Sequence, residues 1–198
     1  NSATNSGRAF IFFGGITGTK TADTDADVIL NGQSINDNFG RSVASAGDFN
    51  GDGKSDVVIG STSDTGNASS SGRAFIFFGG ITGSKTADAD ADVILNGQSS
   101  QDQFGRDVAS AGDFNGDGKS DVIIGARNDD VISTNSGSAF IFFGGITGTK
   151  TADADADVIL NGDSGGDIFG SSVASAGDFN GDGKGDVIVA APLDDNNS

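Results

Sequence analysis

Apolar residues occur along the chain in short consecutive runs, separated by segments rich in glycine, aspartate and asparagine. In the middle of the chain these runs are AFIFF at 74–78, DVIL at 92–95, FGRDVASA at 104–111 and DVII at 121–124. Short runs rich in aromatic and β-branched residues, bounded by turn-forming residues, are typical of β-strands. Helical periodicity is not sustained anywhere, so the sequence predicts an all-β protein.

The same runs recur three times with a constant spacing of 65 residues. Two ten-residue strings, AFIFFGGITG and SAGDFNGDGK, mark the repeat. The first begins at Ala9, Ala74 and Ala139, and the second at Ser45, Ser110 and Ser175. No insertion or deletion separates the copies. The chain is therefore an array of three tandem repeats.

Each repeat contains four runs that are apolar on consecutive residues rather than on alternating ones. Strands of this kind are buried on both faces. We therefore expect small four-stranded antiparallel sheets stacked face to face, which is the arrangement of β-propeller blades. The fold class predicted is all-β, with three 65-residue blades of β-propeller type. A linear stack of sheets satisfies the same pattern, and the sequence leaves both arrangements open.

The two ends of the sequence do not coincide with the boundaries of the predicted blades. We expect residues 1–38 to form the last two strands of a blade and a linker, and residues 39–103 and 104–168 to form two repeats, each a blade with an acidic loop. Residues 169–198 are expected to form the first two strands of a further blade. Because propellers close with roughly 4 to 8 blades, the half-blades need partners. Two copies closing a six-bladed ring, many copies in a head-to-tail fibre, and a longer parent chain all supply them.

The composition excludes several function classes. The chain has 28 acidic residues, all of them aspartate, against 11 lysines and arginines, and its formal charge is −17. Cysteine, histidine and tryptophan are absent, which removes disulfides, cysteine-based zinc sites and the usual catalytic triads. The acidity argues against nucleic acid and anionic membranes as partners. We expect no catalytic residue, no organic cofactor and no membrane insertion.

The strongest chemical signal is DFNGDGKSD at residues 48–56, repeated at 113–121 and, as DFNGDGKGD, at 178–186. We call these segments the Asp loops. Side-chain oxygens stand at loop positions 1, 3, 5 and 9, glycine at position 6 permits a sharp turn, and position 7 offers its backbone carbonyl. The predicted metal ligands are Asp48, Asn50, Asp52, Lys54 and Asp56 in the first loop, Asp113, Asn115, Asp117, Lys119 and Asp121 in the second, and Asp178, Asn180, Asp182, Lys184 and Asp186 in the third.

Calcium is the cation that this donor set favours, with one Ca²⁺ in each of the three loops. Ca²⁺ takes roughly 6 to 8 oxygen ligands in flexible geometry, whereas Mg²⁺ demands a tight octahedron and retains water. The same residues are also good hairpin formers. Three copies with every oxygen position intact argue against a plain turn.

Together these motifs resemble the FG-GAP repeat of bacterial extracellular proteins. Phe-Gly opens a strand at Phe39, Phe104 and Phe169, and the D-x-N-x-D-G-x-x-D loop follows. FG-GAP repeats build the β-propeller of integrin α subunits, so the resemblance implies one blade per repeat with Ca²⁺ in each loop at the lower face. The departures lie at the Gly-Ala-Pro end, where only the third copy, ending in Pro192, keeps the proline.

A second acidic feature is an alternating set of aspartates between the AFIFF and DVIL runs, which we call the Asp triplets. They are expected on one face of an extended segment. One interpretation is a second cation site or a charged assembly surface, and the favoured one is a solvated linker that protects a sheet edge. The triplets are Asp23, Asp25 and Asp27, Asp88, Asp90 and Asp92, and Asp153, Asp155 and Asp157.

The function predicted is a non-catalytic calcium-binding repeat module of a secreted or cell-surface protein, with a structural or adhesive role and self-assembly into a fibre or surface layer. Extracellular localisation fits because weak calcium sites fill there. The alternative is a propeller adhesin domain that binds a protein or a glycan, and a metal-dependent hydrolase is a third reading. The partners expected are further copies, neighbouring repeats of the same protein, or a cell-surface protein or glycan.

Overall fold

The computed structural model describes residues 5–65 and 68–195. The protein is nearly all-β, with short strands and single helical turns that follow the 65-residue repeat. The elements are β1 (Arg8–Ile11), α1 (Ala22–Asp25), β2 (Val28–Asn31), β3 (Phe39–Gly47), β4 (Asp56–Ser61), β5 (Arg73–Phe77), β6 (Gly83–Thr86), α2 (Ala87–Asp90), β7 (Val93–Asn96), β8 (Phe104–Gly112), β9 (Asp121–Ala126), β10 (Ser138–Phe142), β11 (Gly148–Thr151), α3 (Ala152–Asp155), β12 (Val158–Asn161), β13 (Ser172–Gly177) and β14 (Asp186–Ala190).

Two four-stranded antiparallel meanders confirm the predicted blades. The first has the order β3-β4-β5-β7 and the second β8-β9-β10-β12. The registers repeat, since Ile59 lies opposite Phe75 and Ile124 opposite Phe140. Each internal repeat therefore forms the same sheet.

A fifth strand, which the sequence analysis did not predict, joins neighbouring blades. β6 pairs in parallel with β2 of the preceding sheet, and β11 pairs in parallel with β7. The Gly83 amide donates to the Asp27 carbonyl at 2.9 Å and begins the first of these pairings. Because β6 and β11 leave their own blades to extend the previous one, they act as straps along the array.

The core lies between adjacent blades, since one buried cluster contains Ile76 of β5 together with Val108 of β8. Within the second sheet, the Phe104 ring packs edge-on against Phe140 and Phe142, with ring centroids 5.6 and 6.4 Å apart. All residues of β9 and β10 are buried, which confirms that the central strands are covered on both faces. The expectation that the FIFF phenylalanines belong to the core is confirmed for those in β5 and β10, which are buried, whereas Phe12 and Phe13 of the first copy are 37% and 46% exposed.

The two outermost sheets contain fewer strands. β1 and β2 form a sheet with β6, and β13 pairs with β14 in a two-stranded sheet. Within the part of the chain that the structure describes, no helix is long and apolar enough to span a bilayer.

The prediction that the Asp triplets form extended segments is wrong. The first two aspartates of each triplet lie in the helical turns α1, α2 and α3. The second aspartate closes the turn, since Asp25 accepts the Thr21 amide at 2.7 Å and Asp90 accepts that of Thr86 at the same distance. The third ties the turn to the sheet, as Asp92 accepts the Phe78 amide at 2.8 Å. Local carboxylate–amide bonds thus override the period-two pattern.

Candidate metal centre

Each Asp loop joins the first two strands of a sheet, β3 to β4, β8 to β9 and β13 to β14. A register shift between Ser45 and Gly47 ends the first ladder just before its loop. The loop then turns through Gly51 and Gly53, which have φ angles of 79° and 87°. L-residues with side chains rarely adopt such angles, so glycine at these two positions lets the chain reverse over a few residues.

The oxygens at the first three ligand positions point back into the loop. In the first loop, Asp48 Oδ2 accepts the Gly53 amide at 2.9 Å, Asn50 Oδ1 accepts the Asp52 amide at 2.8 Å, and Asp52 Oδ1 accepts the Lys54 amide at 2.9 Å. The second and third loops repeat these bonds. The side-chain oxygens are therefore held at alternating positions around the turn.

The last aspartate of the loop has a structural role that the sequence did not reveal. Asp56 is fully buried, and its Oδ2 accepts the amides of Phe49 at 2.9 Å and Asn50 at 3.2 Å. Its Oδ1 accepts the Gly79 amide at 2.8 Å, which fastens the loop to the end of β5. Asp121 makes the same three bonds. This carboxylate anchors the loop, and its predicted role as a metal ligand stays a prediction.

Hydrogen bonds and burial shift the pKa values of the loop aspartates in opposite directions. The Lys54 amide, with help from the Asn50 side chain, lowers the pKa of Asp52, and the Asn115 side chain does so for Asp117. Burial raises the pKa of Asp121, although three backbone amides oppose the shift. Asp52 and Asp117 are thus kept in the charged form that a cation requires.

One buried oxygen fits a cation directly. Asp48 Oδ1 lacks a hydrogen-bond partner, and buried polar atoms without partners are rare in native proteins. The three aspartates of a single loop, however, do not bring carboxylate oxygens within 4.8 Å of one another in the described residues. The loop thus presents hard oxygens of the type that calcium prefers.

Neighbouring Asp loops are bonded to each other. The Ser120 amide of the second loop donates to the Asp48 carbonyl at 3.1 Å, and the Gly185 amide of the third donates to the Asp113 carbonyl at 2.8 Å. The Gly145 amide also reaches the Phe49 carbonyl at 2.7 Å. The three loops are therefore connected by backbone hydrogen bonds into one continuous edge of the array.

A second set of acidic residues lies where one sheet meets the next. At the first junction, Arg73 contacts Asp64 at 3.1 Å and Asp88 at 2.7 Å, close to Asp37. We call these three aspartates the first junction cluster. Burial raises the pKa of Asp64 to about 6 even with Arg73 beside it. The arginine recurs as Arg8, which donates to Asp23 with the same separation of 15 residues as Arg73 and Asp88, and this spacing is the sequence signal for the pair.

The second junction carries the equivalent aspartates without the arginine. Its cluster is Asp102, Asp129 and Asp153, and Ser138 occupies the position of Arg73. Burial, reinforced by the charge of Asp129, raises the pKa of Asp102 to about 6, and burial also raises the pKa of Asp129 and Asp153. The third cluster is Asp163, Asp167 and Asp194, whose carboxylate oxygens lie within 4.8 Å of one another.

Comparison with known proteins agrees with the repeat pattern. The family model described as "FG-GAP repeat" matches residues 39–77, 104–142 and 169–198. Each match begins at a Phe-Gly pair and includes one Asp loop. More than half of the chain is covered.

Curated relatives are integrin α chains. The chain is 28% identical to Integrin alpha-PS5 of Drosophila melanogaster over 201 residues, covering 97% of the chain and 18% of that protein. It is 30% identical to Integrin alpha-5 of Xenopus laevis over 190 residues, covering 91% of the chain and 17% of that protein. The chain thus spans less than a fifth of the length of these relatives.

Proposed function

Because the chain belongs to the FG-GAP repeat family, we propose that it is a non-catalytic, calcium-binding repeat module of a secreted or cell-surface protein. Its role is structural or adhesive, and each Asp loop holds one Ca²⁺. The observation that carries this proposal is the alternation of side-chain oxygens around the turn in all three loops. In the first loop the buried oxygen Asp48 Oδ1 also lacks a hydrogen-bond partner, whereas Asp113 Oδ1 and Asp178 Oδ1 each accept two loop amides.

The ligands proposed in the first loop are Asp48, Asn50, Asp52, the Lys54 carbonyl and Asp56, with the residues 65 and 130 positions later in the other loops. The first three now accept amides of their own loop, and those bonds shape the turn before the ion arrives. Bound calcium supplies positive charge among the carboxylates of each loop. The proposed extracellular setting is consistent with such loops, because sites of about 10⁻⁴–10⁻³ M affinity fill at extracellular calcium levels.

The hydrogen bonds of the buried loop carboxylates support a non-catalytic role. The most buried carboxylate of each internal loop is fully hydrogen-bonded to backbone amides, which suits an anchor and not a general base. Binding of a protein is the second function proposed, because the similarity to integrin α chains extends over 97% of the chain. The open sheet edges support assembly with further copies or with neighbouring repeats of the same protein.

The test is a calorimetric calcium titration of the chain with three matched variants. We expect three calcium ions per chain, and two for each of Asp52→Asn, Asp117→Asn and Asp182→Asn. The control is Asp195→Asn, an exposed aspartate outside the loops, which should still bind three. An absence of binding at millimolar calcium, or loop variants that bind like the parent chain, would refute the calcium sites.

A further inference from the structure

Three arginines lie together at the ends of the blade strands that are opposite the Asp loops. Arg41 and Arg106 lie near the beginning of β3 and β8, whereas the Asp loops follow the ends of these strands. Arg127 directly follows β9, which runs antiparallel to β8 and therefore returns to the same edge. We call these three residues the Arg cluster. It is separated from the proposed calcium sites by the length of the strands.

Irregular backbone sets the direction of two of these side chains. The register of β8 and β9 shifts between Phe104 and Asp107, and Gly105 within this shift has a φ angle of 78°. Arg41 of β3 lies in the equivalent shift of the first blade. Bulges of this kind bend a strand and change the direction of its side chains. Arg106 and Arg41 therefore do not follow the regular alternation of their strands.

Hydrogen bonds hold the surroundings of the cluster together. Ser42 Oγ on β3 donates to Asp107 Oδ1 on β8 at 2.8 Å, so the residues directly after the first two arginines are in contact. Arg127 Nε donates to Gln103 Oε1 at 2.9 Å, and the Arg106 amide donates to the Gln103 carbonyl at 3.0 Å. Contacts between side chains thus connect two blades and three elements at this point.

The positive charge of the cluster is not neutralised by ion pairs. The other two arginines of the chain, Arg8 and Arg73, each contact an aspartate at 2.7 Å. Within the part of the chain that the structure describes, the members of the Arg cluster form no ion pair. In a chain with a formal charge of −17, three unpaired arginines at one place are unusual and indicate a ligand of opposite charge.

The carboxylate beside the cluster is already engaged by neutral donors. Asp107 Oδ2 accepts the Ser172 hydroxyl at 2.8 Å, and its Oδ1 accepts the β3 serine described above. Burial and the charges of Arg127 and Arg41 lower the pKa of Arg106, and Asp107 opposes them only in part. The charges of the three guanidinium groups therefore repel one another without full compensation from the protein.

The chemistry of the cluster and the charge of the chain define the ligand. A guanidinium group presents a planar fork of donors that matches the oxygens of an anionic group. A single carboxylate would leave two of the three charges unmatched. An extended polyanion is disfavoured, because the remaining surface of this acidic chain repels it. A compact group with two negative charges meets both conditions.

We propose that the Arg cluster binds one compact tetrahedral dianion, a phosphate or sulfate group, as the free ion or at the end of an otherwise uncharged ligand. Arg41 is exposed and Arg106 is half-buried, so the group reaches the site from solvent and contacts a partly desolvated guanidinium. The site goes beyond the proposed function and uses none of the calcium ligands. Its test is therefore made in EDTA.

Nuclear magnetic resonance of the arginine side chains tests the site residue by residue, because the chain has only five arginines. On titration with inorganic phosphate or sulfate, the Nε–Hε signals of Arg41, Arg106 and Arg127 should shift together, with a Kd on the order of 1 mM. The signals of Arg8 and Arg73 should not shift. An absence of shifts at roughly 20-fold that concentration, or equal shifts of all five signals, would overturn the site.

Single variants of the exposed arginine give a second readout that does not disturb the core. Arg41→Gln should weaken phosphate binding about tenfold, because one charge-assisted interaction is lost. Arg41→Lys should recover part of the affinity, since it keeps the charge without the planar fork. The control Lys20→Gln removes the same charge from an exposed segment before α1 and should change the affinity less than about twofold. Equal losses in Arg41→Gln and Lys20→Gln would contradict a local site.

Glucose 6-phosphate and heparin distinguish the sources of the anionic group. Tighter binding of glucose 6-phosphate than of inorganic phosphate supports a group carried by a larger uncharged ligand, and equal or weaker binding supports the free ion. Heparin, an extended sulfated polymer, should bind no more tightly than inorganic sulfate, because the acidic surface repels it. Heparin binding more than about tenfold tighter than sulfate would overturn the assignment of a compact ligand.

Discussion

Replacing Arg73 by serine isolates the first junction cluster, because the second junction already has serine at this position. Arg73 is the cation that faces Asp64 at 3.1 Å and Asp88 at 2.7 Å, and its guanidinium also lies 5.9 Å from the Phe75 ring centroid. Arg73→Ser leaves these carboxylates in place without their counter-charge. The variant therefore creates at the first junction the charge pattern of the second.

The expected cost follows from the burial of the three side chains. Removing one partner of a fully buried ion pair costs about 3–5 kcal/mol. The Arg73 side chain is 17% exposed and that of Asp88 is 29% exposed, so solvent screens part of the loss. We expect Arg73→Ser to lower the free energy of unfolding by about 2 kcal/mol near neutral pH.

The destabilisation caused by Arg73→Ser should increase with pH. Burial raises the pKa of Asp64 to about 6, so its contribution to stability is complete below the unfolded pKa and is lost as the pH rises through about 6. Arg73 lowers the pKa of Asp64. Without Arg73, the protein should therefore lose more stability as the pH rises from about 4 to about 7.5. Urea unfolding at about pH 4 and about pH 7.5 measures both values, with Arg41→Ser as the exposed control. A penalty that is equal at the two pH values, or larger at about pH 4, would refute the electrostatic reasoning.

Three further predictions concern the core, the loop and the second junction. Phe104→Ala should cost about 3–5 kcal/mol of unfolding free energy by urea titration, while the exposed Ile35→Ala stays within about 0.5 kcal/mol. Gly53→Ala should cost about 1–2 kcal/mol of unfolding free energy because φ is 87° there, although the added Cβ meets open space. Its control is Gly14→Ala, whose added Cβ also meets open space but at a position without positive φ. The second junction cluster should lose stability as the pH rises from about 4 through about 6, and Ser138→Arg should flatten that dependence; an unchanged pH profile would contradict this.

The blade strands were predictable because their signal is local. Apolar aromatic and β-branched runs between glycines and aspartates specify strand and turn without knowledge of the neighbours, and the constant spacing extends the result to every repeat. The straps β6 and β11 were not predictable in this way. Their sequences, GSKT and GTKT, carry no apolar pattern, and they become strands through parallel pairing with a neighbouring sheet.

The structural roles of several acidic residues were not predictable from the sequence. Alternation at the Asp triplets suggested a strand, yet Asp25 and Asp90 bond to amides four residues earlier and favour a turn. The glycines of the Asp loops predicted a sharp turn, which the structure contains at Gly51 and Gly53. The anchoring role of Asp56 was hidden, since it depends on the amide of Gly79, 23 residues away.

Thermal unfolding in calcium and in EDTA tests the central claim, that the Asp loops bind calcium and stabilise the blades. With sites of about 10⁻⁴–10⁻³ M affinity and about 1 mM free calcium, three loops should add about 1–4 kcal/mol. For a chain of this length that raises Tm by roughly 2–16 °C, and the same concentration of Mg²⁺ should raise it less. Equal melting temperatures in calcium and EDTA would contradict the account.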